Sequence, residues 1–236
     1  MFKWLRITFV FLALSATAAY AALPGKHRAL TPALFGITNI EGGLYTDAPE
    51  RQHEFDALYA VALARTEAFF GPIQADPRII ICTMQACADT FDLKPRGLTL
   101  GAHLIFLGPK GVNEMILTHE LAHIHIHSAL GLQDVFKQRI PAWFNEGLAT
   151  YLSADPRVHS FSQKGAKWIT QAQSFRDWGR LHQNREWQDT YGAAKSLVAA
   201  LHAELGDAGL RALIDQAIET GDFEQALADA IAPDWP

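Results

Sequence analysis

Residues 118–123 read Thr118-His119-Glu120-Leu121-Ala122-His123, and the fold turns on how this stretch is read. It has the form H-E-x-x-H inside an apolar run. On a helix, residues four apart lie one above the other on the same face. His119 and His123 can therefore aim two imidazole nitrogens at one ion, with Glu120 one step around the helix beside it. Two histidines make half of a zinc site. The remaining protein ligand must come from elsewhere, with one position left open for water. A short pattern with two wildcards needs support. The segment Pro141-Ala142-Trp143-Phe144-Asn145-Glu146-Gly147-Leu148-Ala149-Thr150 gives it, with a carboxylate on a second predicted helix opened by Pro141.

Two histidines and a glutamate, open at the fourth position, form a catalytic zinc arrangement. The ion lowers the pKa of its bound water and polarises a carbonyl oxygen. Glu120 is not a ligand in this reading; it takes a proton from that water and passes it to the leaving nitrogen. The bland alternative makes His119 and His123 surface histidines and Glu120 an ordinary helix acid. The presence of both segments argues against it.

With these residues in view, the chain resembles the gluzincin metallopeptidases. His119-Glu120-Leu121-Ala122-His123 followed by Trp143-Phe144-Asn145-Glu146-Gly147-Leu148-Ala149 is closest to the W-x-N-E-G-x-A form of their aminopeptidase branch, although the 22 residues between His123 and Glu146 are more than usual there. The later run from Tyr191 to Val198, leading to Leu205-Gly206, resembles the C-terminal helix of small peptidase-MA-like domains. The aminopeptidase branch carries G-x-M-E-N before the zinc helix, its glutamate holding the substrate amine. The corresponding Gly101-Ala102-His103-Leu104-Ile105 has no acid, so aminopeptidase specificity is not implied. Metzincins need Gly and His where this chain has Ile126 and Ala129, which excludes that branch.

The resemblance implies two further features. Zinc peptidases need a donor for the oxyanion, supplied in related enzymes by a downstream tyrosine or histidine. Tyr191 is the candidate, with Tyr151 and His182 as rivals. The family also places an edge strand beside the cleft, a role that falls to residues 98–107. Nearby residues carry weaker signals. His125 points largely away from the metal face and His127 toward the cleft side, more as a lining or surface residue than a ligand. Thr150 either orients a ligand or bonds its own backbone. His103 either faces substrate or is simply half-exposed.

Around this centre the pattern predicts an α+β zincin-like fold: a small mixed sheet with the zinc helix, then a mostly helical C-terminal lobe. Residues 22–46 read as irregular or extended. Asp47 is a candidate cap for a helix that Gly71-Pro72 stops. Residues 78–83 read as a buried strand, 86–93 as a short helix, and 98–107 as a second strand broken by Gly101. The zinc helix is expected over 113–131, with Ile116 on its metal side. Residues 157–187 resist parsing. Helices are expected over 190–206, 208–219 and 223–231. The division is a lobe of about 22–131 and a helical lobe of about 132–236, in a single peptidase-MA-like domain preceded by a signal peptide at 1–21.

That signal peptide rests on Lys3 and Arg6, an apolar stretch from Ile7 to Ala19, and a small-x-small site at Ala19-Tyr20-Ala21. The alternative is an uncleaved N-terminal anchor; no later segment has the length and apolarity to span a bilayer. The implied location is exported, periplasmic or secreted. Of 20 basic and 25 acidic side chains, two bases fall in residues 1–21, leaving 18 and 25 and a formal charge of −7. That excess argues against nucleic acid or anionic lipid as main partner. Cys82 and Cys87 read as a small-loop disulfide in an oxidising compartment, or else as two unpaired thiols. The implied function is an exported zinc-dependent peptidase acting on peptide or protein; the alternative is a zinc-bearing binding or assembly module without turnover.

Overall fold

The computed structural model describes residues 25–130 and 138–231. The signal peptide and the expected end of the zinc helix at Gly131 lie outside these. The described residues open with two 3-10 turns (Gly25–Leu30 and Pro32–Phe35), then β1 (Thr38–Asn39) and β2 (Leu44–Thr46), in a stretch whose sequence suggested extended or irregular chain. Helix α1 (Gln52–Phe70) follows a 3-10 turn and ends at Gly71, as the Gly-Pro pair predicted. Next come β3 (Arg78–Ile81), α2 (Gln85–Thr90), β4 (Gly97–Leu100) and β5 (Leu104–Leu107). The helical half comprises α3 (Glu114–Ser128), α4 (Ala142–Ser153), α5 (Gln163–Ala166), α6 (Phe175–Asn184), α7 (Trp187–Thr220) and α8 (Phe223–Ala230).

The five strands lie in the order β1-β2-β3-β5-β4. β2, β3 and β5 run parallel, while β1 and β4 pair antiparallel at the two edges. Helices or loops cover both faces of the inner strands, which is why β3 reads as continuous isoleucine. Successive residues point to opposite faces. Ile79, Ile81, Ile105 and Leu107 join Phe55, Leu117, Leu121 and Ile124 under α1 and α3. Ile80 and Phe106 face the other way, into a cluster with Phe91, Leu93 and the Cys82–Cys87 disulfide.

Two expectations need correction. Residues 98–107 are not one interrupted strand: Gly101, at φ 57°, turns the chain into a β4–β5 hairpin. Of these two strands only β4 is an edge; β5 lies between β3 and β4. Asp47 does not cap α1, whose first turns have no side-chain cap. Its carboxylate accepts from the Thr83 and Met84 amides at 2.8 and 3.1 Å, at the end of β3 just ahead of α2. A carboxylate there is favoured by the orphan N–H groups and by the helix dipole.

Helix α3 is the hub. Asn113 caps it, accepting from Ile116 N at 3.1 Å. One side packs on the sheet and α1 through Leu117, Leu121 and Ile124, each fully buried and worth about 1.5–3 kcal/mol by transfer. Its other side meets α4. Helix α4 in turn packs closely along α7 because Gly147 lacks a side chain: a Cβ there would come within 2.7 Å of Ala194 O and 2.9 Å of Val198 Cγ2. Trp143, Phe144, Leu148, Leu197, Leu201, Leu210 and Phe223 fill the helical core. α7 contains a break at Gly206 (φ 63°, ψ −178°), the point between the two helices expected there.

Candidate metal centre

The packing of α3 on α4 brings the two sequence segments together. His119 and His123 from α3 and Glu146 from α4 each offer one ligand atom, all within 4.8 Å of one another. His119 Nε2 and His123 Nε2 are 3.1 Å apart. Glu146 Oε2 lies 3.4 Å from the first and 3.8 Å from the second. Glu146 is only 8% exposed, and no group among the described residues donates to its Oε2 in hydrogen-bonding geometry. An orphaned buried carboxylate oxygen is costly, and two facing imidazole nitrogens give it no proper donor. A cation among the three donors resolves both problems. The residues fit a zinc ion, whose usual ligands include His nitrogen and carboxylate oxygen.

The electrostatics agree. Burial opposes charge on both His119 and Glu146. Even so, the Glu146 and Glu120 carboxylates raise His119 above its ordinary value, and the imidazoles of His123 and His119 lower Glu146. His119 and Glu146 thus each favour the charged form of the other.

His123 Nδ1 lies 2.8 Å from Asn145 Oδ1, so the ring donates there and turns its Nε2 lone pair to the cluster. Such a partner fixes a ligand's tautomer and orientation. Glu120 is 6% exposed and does not join the cluster. The Thr99 hydroxyl on β4 reaches both Glu120 Oε2, at 2.8 Å, and Glu120 O, at 3.0 Å. Gly97 backs the same carboxylate, since a Cβ at 97 would come within 2.8 Å of Glu120 Cδ.

A cleft of about 280 Å³ opens beside the cluster, lined by His119, Glu120, Ile116, Gly97, Arg96, Asp155, Arg157, His182, Trp187 and Tyr191 among others. The Tyr191 ring lies 6.0 Å, centroid to centroid, from that of His119. Burial, followed by Glu146 and Glu120, raises its phenol well above the ordinary value, so it remains a hydrogen-bond donor. His182 also lines the cleft and bonds Thr190 Oγ1 at 3.0 Å through Nδ1. Tyr151 is turned elsewhere, its hydroxyl 3.0 Å from His202 Nδ1.

The remaining candidates are settled by their contacts. His125 stacks on Phe70 at 4.6 Å, away from the cluster. His127 lies outside the ligand set and does not line the cleft; it stacks against His123 and bonds Gly101 O at 3.1 Å. Burial, then His123, pushes its pKa down to about 4. Thr150 takes the plain option, donating to Glu146 O at 2.7 Å. His103 is exposed in the hairpin turn. Sequence reasoning missed Asn145, Gly97, Thr99 and the Asp155–Arg157 pair. Asn145 alone carried a signal, as the neighbour of Glu146 in the N-E-G run.

A small mixed sheet leading into a helical half, with H-E-x-x-H and a downstream glutamate converging from two helices, is a zincin-like fold with a gluzincin-like arrangement. No family model, curated protein or solved structure matches this chain.

Proposed function

We propose that this chain is an exported zinc-dependent peptidase, with His119, His123 and Glu146 as ligands, Glu120 as general base and Tyr191 as oxyanion donor. The observation that carries the reading is the convergence of three ligand atoms within 4.8 Å beside a cleft that Glu120 also lines. Zinc held there would supply a water of lowered pKa and a Lewis acid for the scissile carbonyl. Thr99 and Gly97 hold the Glu120 carboxylate, which accepts a proton and returns it to the leaving nitrogen. Tyr191 donates its hydroxyl to the oxyanion from the helical side of the cleft. An extended peptide would add along the outer side of β4, one of the two edge strands and unpaired there among the described residues, through backbone hydrogen bonds.

The Cys82–Cys87 disulfide supports an oxidising compartment and hence export. Among the described residues no helix is long and apolar enough to cross a membrane. The test is metal analysis of the purified chain, followed by incubation of the zinc-loaded protein with a mixed peptide library. We expect one zinc per chain, cleavage by the parent, and loss of cleavage with zinc retained in Glu120→Gln. A zinc-loaded parent that cleaves nothing would favour the binding module instead.

A further inference from the structure

His127 lies one turn beyond His123 on α3, outside the ligand cluster and outside the cleft. Its contacts nevertheless run back to the cluster in a fixed order. His127 Nδ1 is 3.1 Å from Gly101 O. A carbonyl oxygen only accepts, so Nδ1 carries the hydrogen and a neutral ring has its lone pair on Nε2. That Nε2 lies 3.4 Å from Asn145 Nδ2, so it receives an N–H from the amide. With the amide nitrogen committed to His127, the amide oxygen faces His123 Nδ1 at 2.8 Å and accepts its hydrogen. The lone pair of His123 is then on Nε2, the atom turned toward His119 and Glu146.

We propose that His127 is a positioning residue that sets the tautomer of His123 by fixing which way the Asn145 amide points. The reason is the near-symmetry of the amide. A terminal amide turned by half a revolution occupies almost the same space with nitrogen and oxygen exchanged. Reversed, Asn145 would present Nδ2–H to His123, which would then keep its lone pair on Nδ1 and carry the hydrogen on Nε2. That hydrogen stands where a metal must bind. The Gly101 carbonyl breaks the symmetry, and the hairpin tip holding it joins β4 to β5. One chain of three hydrogen bonds thus ties the edge hairpin to a ligand nitrogen.

This inference rests on the reading of His119, His123 and Glu146 as metal ligands. Its primary test is made on the metal-free protein and does not involve turnover, so it fails or stands separately from the proposed peptidase activity. The experiment is ¹⁵N–¹H long-range correlation of histidine-labelled protein, which distinguishes the two neutral tautomers of each ring. The parent should show His123 with its hydrogen on Nδ1. His127→Phe keeps a ring against His123 and removes both hydrogen bonds; it should shift His123 toward the Nε2–H form. His127→Gln can accept from Asn145 and donate to Gly101 O, and should restore the parent spectrum. Zinc affinity, measured by chelator competition, should fall about tenfold in His127→Phe, the lower end for a ligand's hydrogen-bond support, and recover in His127→Gln.

Asn145→Asp provides the second arm. A carboxylate accepts through either oxygen, so the tautomer of His123 no longer depends on amide orientation. In that background His127→Phe should leave the His123 tautomer unaltered. The proposal is overturned if His127→Phe folds with a parent-like His123 tautomer, or if it perturbs His123 equally with Asp at position 145.

Discussion

Gly97 and Glu120 touch across the wall of the cleft: a Cβ at position 97 would come within 2.8 Å of Glu120 Cδ and 2.7 Å of Ile116 Cγ2. Strand and helix approach so closely at this point that position 97 has no room for a side chain. Thr99, two residues on, uses the same proximity to hold the Glu120 carboxylate at 2.8 Å. Gly97→Ala should therefore displace the carboxylate without touching any ligand. General bases contribute about 10²–10⁴ in rate, and we expect at least the lower figure to be lost from kcat. Zinc content should stay at the parent level. Parent-like turnover in this variant would show that the position of Glu120 is not critical.

The metal should be visible in stability as well as activity. A ligand that binds only the folded state at about 100 times its Kd adds about 2.7 kcal/mol. For a chain of this size that is about 5–11 °C in Tm. The parent should show this rise when zinc is added to metal-free protein, and chelation should reverse it. Glu146→Ala removes the carboxylate proposed as the third ligand, and its Tm should barely respond to the same zinc concentration. An undiminished response would mean that Glu146 is not a ligand.

The parts of this centre legible in the sequence are those with a fixed local period. His119 and His123 share a helical face whatever surrounds them, and Pro141 and Gly71 mark helix ends by their own stereochemistry. The Glu146 contribution was legible because its motif is local too. Asn145, Thr99 and Gly97 act through approach between elements, and no spacing in one element reports how near another lies. The β4–β5 hairpin was hidden for a related reason: strand residues flank Gly101 on both sides, and only its positive φ reveals the reversal. Residues 157–187 stayed opaque because they hold short elements, α5, a 3-10 turn and α6, with too few turns for a period to emerge. The Ser174–Asp177 capping box that opens α6 and the Ser162 cap of α5 were readable marks there.

Asp155 offers a prediction in pH. Its carboxylate accepts from Arg157 Nε at 2.8 Å, Arg157 Nη2 at 2.6 Å and Arg157 N at 2.9 Å. Burial opposes its ionisation, but Arg157, together with Lys195, holds the pKa below the ordinary value. A folded-state pKa below the unfolded one means that the ionised form stabilises the fold above the unfolded value, about 3.9 for Asp, and that this contribution is lost as pH falls through the folded one. Asp155→Asn removes the charge and keeps the shape. At neutral pH it should cost about 1.5 kcal/mol, the lower end for hydrogen bonds to charged groups, or about 3–6 °C. The gap in Tm between parent and variant should hold down to about pH 5 and close below about pH 4. A gap that widens on acidification would contradict the assignment.

Tyr191 carries the last prediction. Its place over the cluster depends on the close approach of α4 and α7 at Gly147 and Ala194, three residues further along α7. The ring packs edge-on against Trp178, His182 and His119, so its aromatic body is held independently of its hydroxyl. Tyr191→Phe keeps that body and removes only the donor. Loss of one oxyanion donor costs about 10²–10³ in kcat. We expect a loss in that range on any cleaved peptide, with KM, zinc content and Tm near the parent values. His182 is the competing donor: it lines the same cleft, but its Nδ1 is engaged with Thr190 at 3.0 Å. His182→Gln should therefore lower kcat less than Tyr191→Phe does. The reverse ranking would move the oxyanion role to His182 and leave Tyr191 as a packing residue at the start of α7.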